Sequence, residues 1–283
     1  MKESKLLSFI DKDKTYTIHF FEGQKLIHDL AIIHDVKNSG FAYFRDSILS
    51  FVPLNAFLKA GENFGLYIDS EAPYFKFKVE MNEAGFLRTL LLPETFSENP
   101  SEITGQVRLS KIFLGQSQPY NSIIELNKTV PKDITTKILK TSYQLNSEVI
   151  LCENSDQSVL ISKLPSAHVD KVDKEKNGEE LTLSEIILKN KSFLNDVMNK
   201  GHENTDDVVK ELEAHDYEYL MGKQIEFKCN CSRDRMVDSL LALGTQTSLE
   251  EVFNGDESIE TRCDYCKTYY KITQKELLDI IKQ

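Results

Sequence analysis

The stretch Tyr74-Phe75-Lys76-Phe77-Lys78-Val79-Glu80 alternates without a break, with Tyr74, Lys76, Lys78 and Glu80 on one face and Phe75, Phe77 and Val79 on the other. Strand side chains repeat every two residues, so this run puts one face in a core and one in water, as antiparallel sheets allow. Similar runs lie on both sides of it. Thr15 to Phe21 is rich in β-branched and aromatic residues and ends at the turn signal Glu22-Gly23. Phe64 to Ile68 precedes the alternating run, and Phe86 to Leu92 follows Gly85 and stops at Pro93. Further strands are expected at Gly105 to Leu109, Ser122 to Leu126 and Val159 to Ile161. Helical patterns are fewer. One is Asp46 to Ala60, interrupted by Pro53; another is Asp133 to Gln144, where Ile134, Ile138 and Leu139 share a face. Together these predict an α+β fold, with an N-terminal domain over residues 1–169 built on a largely antiparallel sheet.

Composition changes at Asp170. Asp170 to Glu180 is nearly all charged or small, the pattern of a solvated linker. Thr182-Leu183-Ser184-Glu185 then offers a capping box for a helix carrying Ile186, Ile187, Phe193, Leu194 and Val197, with a stop at Gly201. A second helix is expected from about Thr205 to Leu212, opened by Thr205 and Asp206. Residues 170–222 thus read as a charged and helical linker, and residues 223–283 as a small C-terminal domain.

That last segment holds four of the five cysteines, as Cys229-Asn230-Cys231 and Cys263-Asp264-Tyr265-Cys266. Two tight thiol pairs separated by a helix-forming stretch can close around one tetrahedral zinc ion, because thiolates are soft ligands. A closed four-sulfur site leaves no position for water, which excludes catalytic zinc. Ser232 can cap a helix running through Met236, Leu240 and Leu243 to a stop at Gly244. Ser248 with Glu251 offers a second start, and Asn254-Gly255 a turn. Ile259 to Cys263 and Lys267 to Ile272 read as short strands, and Thr273 with Glu276 caps a final helix. So small a module draws much of its folding free energy from its metal, on the order of 10–16 kcal/mol for structural zinc peptides. Cys152 stands in the apolar run Val149 to Cys152 and reads as a core thiol.

The chain has 283 residues, 40% hydrophobic and 28% charged, with a formal net charge of -11. That balance opposes a general phosphate-backbone binder, so no nucleic-acid partner is expected. No uncharged apolar run is long enough to cross a bilayer, and Leu6 to Ile10, broken by Ser8, is too short for a signal-peptide core. The expectation is a cytoplasmic protein with no membrane partner, where paired cysteines bind metal or do redox chemistry before they form structural disulfides. The histidines, His19, His28, His34, His168, His202 and His215, sit at no ligand spacing and beside no nucleophile. No glycine-rich phosphate loop is present, and no catalytic residue is assigned; the protein is not expected to be an enzyme. The residues alone leave three readings of the cysteine cluster. One is zinc stapling a small domain; another is a zinc ribbon serving nucleic-acid machinery, against which the acidic charge speaks; the third is a thiol-disulfide oxidoreductase acting through Cys263 and Cys266, which a bound metal would block.

The pattern C-x-C-S-R-[DE]-R from Cys229, the helix with Leu240-Leu241-Ala242-Leu243-Gly244, then C-x-[FY]-C and the aromatic pair Tyr269-Tyr270 resembles the redox-regulated heat shock protein 33 chaperones. The resemblance is close from Phe227 to Ile281. It extends more thinly to Phe57-Leu58-Lys59-Ala60-Gly61-Glu62, Gly85-Phe86-Leu87-Arg88 and Ser147-Glu148. It implies an ATP-independent holdase that binds unfolding client proteins under oxidative stress. Reduced and zinc-bound, such a protein is folded and inactive. Oxidation forms the disulfides Cys229–Cys231 and Cys263–Cys266, the zinc is released, and the zinc domain with its linker unfolds to expose client-binding surface, often as a homodimer. The resemblance assigns first sensing to Cys263 and Cys266; oxidation of Cys229 and Cys231 also needs the linker to unfold.

Overall fold

Two mostly antiparallel sheets organise the first of two units into which the chain divides, Met1–Phe227 and Lys228–Gln283. The computed structural model describes residues 1–93, 102–113, 115–116, 118–165, 181–202, 204–246 and 248–281. In chain order the first unit runs β1 (Lys5–Asp11), β2 (Tyr16–Glu22), α1 (Gln24–Ile33), α2 (Ser39–Phe51), β3 (Glu62–Ala72), β4 (Tyr74–Asn82), β5 (Phe86–Leu92), β6 (Ile103–Phe113) and β7 (Tyr120–Thr129). It continues with α3 (Pro131–Ile138), β8 (Ser147–Leu151), β9 (Gln157–Lys163), α4 (Leu183–Asn199), α5 (Thr205–Glu213), β10 (Tyr217–Gln224) and β11 (Glu226–Phe227). The first sheet has the order β10-β1-β2-β9-β8, every neighbour antiparallel. The second has the order β11-β5-β4-β3-β6-β7, antiparallel except where β11 runs parallel to β5.

The alternation read from Tyr74 to Glu80 is β4. Phe75, Phe77, Val79 and Met81 are buried, and the residues between them are partly or fully exposed. They share one apolar core with Leu26, Ile27 and Leu30 of α1 and Phe44 and Ile48 of α2. Phe44 meets Phe77 edge-on at 5.7 Å between ring centres, the arrangement aromatic quadrupoles favour.

The first sheet is covered on both faces. Leu6, Phe21 and Leu160 point into the core just described. Leu7, Phe9, Ile18, Phe20, Val159 and Ile161 point the other way, where Ile186, Leu194, Val197 and Met198 of α4 and Val208 and Leu212 of α5 cover them. A strand buried on both faces need not alternate, which is why β1, with no period of two, reads in the sequence only as an apolar stretch. The two helices expected after Thr182 therefore pack on the first sheet as part of the first unit. Residues 170–180, read as a charged linker, lie outside the described residues.

Thr182 caps α4 as the sequence indicates: Glu185 N–H donates to Thr182 Oγ1 at 3.3 Å, and Thr182 N–H donates to the Glu185 carboxylate at 2.7 Å. α5 begins at Thr205 as expected, but its cap is Asn204, whose Oδ1 accepts from Asp207 N–H at 3.0 Å. One polar cluster interrupts the apolar contact beneath α4. Tyr217 Oη donates to Asn190 Oδ1 at 2.7 Å, Asn190 Nδ2 donates to Tyr16 Oη at 3.1 Å, and the two phenol oxygens lie 3.1 Å apart. Burial raises the pKa of both tyrosines, so both stay protonated and the cluster ties β2, α4 and β10 together.

Other expectations shift. The helix read across Pro53 is α2 followed by a 3-10 turn over Val52–Phe57, with the proline in the turn's first positions, where its missing N–H costs nothing. Asp133 to Gln144 is α3 continued by a wider turn over Leu139–Tyr143. Gly85 takes a positive φ of 90°, and a Cβ there would lie 2.0 Å from the Gln224 carbonyl oxygen. Its bare backbone lets Glu226 N–H donate to Gly85 O at 3.1 Å, which seats β11.

The second unit contains α6 (Arg233–Gln246), α7 (Leu249–Phe253), β12 (Ser258–Arg262), β13 (Tyr269–Thr273) and α8 (Gln274–Ile281). β12 and β13 form an antiparallel pair. Gly244 does not stop α6, which runs to Gln246; a Cβ at Gly244 would meet Leu249 Cδ2 at 2.6 Å, so the glycine makes room for α7. Among the described residues the unit's buried apolar core is five side chains: Val237, Leu240, Phe253, Ile272 and Leu277.

Candidate metal centre

Three local devices shape the cysteine site. Cys229 and Cys231 lie just before α6, whose first turn is capped where Arg235 N–H donates to Ser232 Oγ at 3.2 Å. Cys263 and Cys266 sit in the turn between β12 and β13. That turn is closed by Cys263 N–H donating to Thr268 O at 2.9 Å and Lys267 N–H donating to Cys263 O at 2.8 Å. Lys267 takes the left-handed conformation, φ 60°, that so tight a reversal needs. Arg233 then clamps the periphery: it forms an ion pair with Glu276 of α8 and donates through Nη2 to Lys271 O at 3.2 Å.

These devices bring all four expected sulfurs together. Every pair of the four lies within 4.8 Å. Cys229 and Cys263 are 3.8 Å apart, and Cys231 and Cys266 are 3.3 Å apart. Zinc–sulfur bonds of about 2.3 Å put the corners of a regular tetrahedron about 3.8 Å from one another, so this spacing suits a zinc-sized ion. All four thiols are free, Cys263 is buried, and the other three are half-buried.

The electrostatics point the same way. Burial and the neighbouring sulfurs push the Cys229 thiol up to about 12, and burial raises Cys231. In Cys266 burial also acts upward, but hydrogen bonds from Thr268 and the adjoining sulfurs outweigh it and bring the thiol down to about 7. Four crowded thiols resist ionising together unless a cation shares the site, and a coordinated thiol loses its proton outright. Two polar side chains complete the surround. Tyr270 Oη is 3.1 Å from Cys231 Sγ, and Thr268 Oγ1 is 3.2 Å from Cys266 Sγ. Neither contact is legible in the sequence. The aromatic pair Tyr269-Tyr270 was visible, but only the strand register shows which ring turns toward the thiols.

Cys152 stands apart from this cluster. It is buried beneath α4, its Sγ 3.4 Å from Asn199 Oδ1, as expected of a core thiol. Among the described residues no other cluster of potential ligands meets the same test, and no helix is long and apolar enough to cross a membrane.

Fold and site together define an α+β protein of antiparallel sheets with a small C-terminal tetrathiolate unit suited to zinc and to redox control. A family model described as Hsp33 protein matches residues 4–273, and the chain belongs to that family. Its relatives include the 33 kDa chaperonin of Limosilactobacillus fermentum, 27% identical over 182 residues, which are 62% of this chain and 59% of that one. That of Streptococcus pneumoniae is 25% identical over 178 residues, 59% and 57% of the two chains. The chain thus spans under two thirds of the length of these relatives. The 33 kDa chaperonin of Citrifermentans bemidjiense is 23% identical over 263 residues, 88% of this chain and 87% of that one. The crystal structure of the 33 kDa chaperonin (heat shock protein 33 homolog) of Thermotoga maritima has the same fold. Its TM-score is 0.76 at 14% identity, covering 99% of this chain and 98% of that one.

Proposed function

We propose that this chain is a redox-regulated, ATP-independent holdase of the cytoplasm that binds unfolding client proteins and catalyses no reaction. In this reading residues 1–169 form the chaperone domain, 170–222 the metastable linker and 223–283 the redox switch, with zinc held by Cys229, Cys231, Cys263 and Cys266. The observation that carries it is the pairing of a four-thiol cluster in a unit with five buried apolar side chains and an apolar sheet face covered by two helices. Bound zinc supplies charge neutralisation and a fixed tetrahedral frame, and nothing catalytic.

The residues then account for the switch. Held as thiolates, the four sulfurs are in the form oxidants attack. Two equivalents of peroxide take four electrons from them. Two sulfur–sulfur bonds form, both peroxide O–O bonds break, and four protons from solvent complete four water molecules. Oxidised sulfurs no longer bind the ion, and a core of five side chains cannot keep so short a unit folded. In the folded unit two close sulfur contacts, Cys229 with Cys263 and Cys231 with Cys266, cross between the two pairs. In the unfolded chain, sequence neighbours have the higher effective concentration, which favours Cys229–Cys231 and Cys263–Cys266.

The strand that enters this unit leaves α5 through β10 and β11. Loss of order there frees α5 and α4 and uncovers Leu7, Phe9, Ile18, Phe20, Val159 and Ile161, an apolar face suited to unfolded chains and to a second copy of the protein. The test is light scattering from a heat-aggregating client without nucleotide. Peroxide-treated protein suppresses aggregation and reduced, zinc-loaded protein does not; equal suppression by both, or by neither, rejects the reading.

A further inference from the structure

Among the described residues β8 is an edge strand of the first sheet, paired only with β9. The phase of its ladder follows from two bonds that bracket it. Lys163 N–H donates to Asn146 O at 2.9 Å, and Cys152 N–H donates to Gln157 O at 3.0 Å. In an antiparallel ladder hydrogen-bonded pairs alternate with non-bonded ones, so Asn146, Glu148, Ile150 and Cys152 turn their backbone groups toward β9. Ser147, Val149 and Leu151 therefore present N–H and C=O groups to the open edge, and among the described residues no hydrogen bond occupies them.

That edge is the floor of a groove of about 490 Å³ whose walls include Lys132 of α3 and Lys191, Asn195 and Asn199 of α4. Its charged lining is two lysines and two glutamates, Lys132, Lys191, Glu148 and Glu153, which leaves no preference of sign. What the floor offers is a repeating row of backbone donors and acceptors, and an extended polypeptide is the partner that presents the matching row. The strand is also continuous with the apolar face beneath α4, to which Cys152 and Ile150 belong.

We propose that the open edge of β8 docks an extended segment of an unfolding polypeptide, which joins the first sheet as an added strand. The inference rests on the holdase reading and names the chemistry it uses: recognition through the backbone, tolerant of client sequence.

The probe is reduced, carboxymethylated α-lactalbumin, which cannot refold, added to the peroxide-treated full-length protein. Hydrogen exchange should slow at the amides of Val149 and Leu151. Leu151→Pro removes an outward N–H without touching a ladder bond, and should weaken capture roughly two- to tenfold, the worth of one hydrogen bond with its partner. Lys132→Trp fills the groove from α3 without altering the strand, and should act in the same direction if the proline variant fails to fold. Capture with no protection at β8, and with both variants binding like the parent, overturns the edge and leaves the holdase reading standing. No capture by the parent removes both. Slow exchange of these amides in the protein alone also overturns the proposal: independent of concentration, it means the chain closes its own edge; rising with concentration, it means a second copy does.

Discussion

Replacing Asn190 by Ala tests whether α4 opens as a unit separate from the sheets beneath it. Asn190 is buried and makes three hydrogen bonds: from Tyr217 Oη at 2.7 Å, to Tyr16 Oη at 3.1 Å and to Ile186 O at 2.8 Å. The alanine variant leaves the two phenols to pair with each other and strands a lone pair on one and a proton on the other. An unsatisfied buried polar group costs about 1–3 kcal/mol, and both phenols regain water when α4 lifts, so the cost falls on the docked state. The opening equilibrium of α4 should rise about five- to 150-fold. Native-state hydrogen exchange reads this directly. Amides of α4 that exchange through local opening should speed up by that factor, while those at the centre of β3 and β4, in the other core, should not. Equal acceleration in α4, β3 and β4 would mean that α4 has no opening of its own. Acceleration below twofold would mean that the polar cluster does not hold the helix. Either result refutes the reasoning.

Further consequences are as specific. Burial lowers the His19 imidazole to about 4, against about 6.5 unfolded. As pH falls from 6.5 to 4 the unfolded chain takes up a proton that the folded state refuses, so stability declines through that window by about 3 kcal/mol; urea midpoints measured across it should show the loss, and His19→Gln should flatten it. Tyr270→Phe removes the hydroxyl 3.1 Å from Cys231 Sγ; competition with a chromophoric chelator should find zinc bound about 10–100-fold more weakly, with the fold of the loaded protein unchanged. A strong chelator should abolish the ordered amide signals of Lys228–Gln283 and leave those of β3 and β4 in place, because the two units have separate cores.

Much of this architecture is legible in the sequence wherever one side of an element faces water. β4 alternates because one face is solvated, and Thr182 and Ser248 announce their helices because a capping side chain is a local event. β1 and β10 escaped for physical reasons. β1 is apolar on both sides because both its faces are covered, and most of β10 is exposed at the sheet edge, so neither carries a period of two. α1 escaped as well, since Gly23 precedes it and no side chain caps it. At the site, the cysteine spacing carried the cluster itself, while the contacts of Tyr270 and Thr268 depend on how β12 and β13 fold back on each other. The packing of α4 and α5 onto the first sheet was the least legible, because an amphipathic helix shows that it has a partner and not which one.

The most direct test titrates reduced protein with peroxide and follows zinc release, protease cleavage within α4 and capture of an unfolded client in one series. The account predicts one zinc per chain at the start and three curves that rise together; with the four clustered cysteines replaced by serine there is no zinc to release, and cleavage and capture no longer respond to peroxide. Capture that appears while zinc stays bound and α4 stays protected would contradict it.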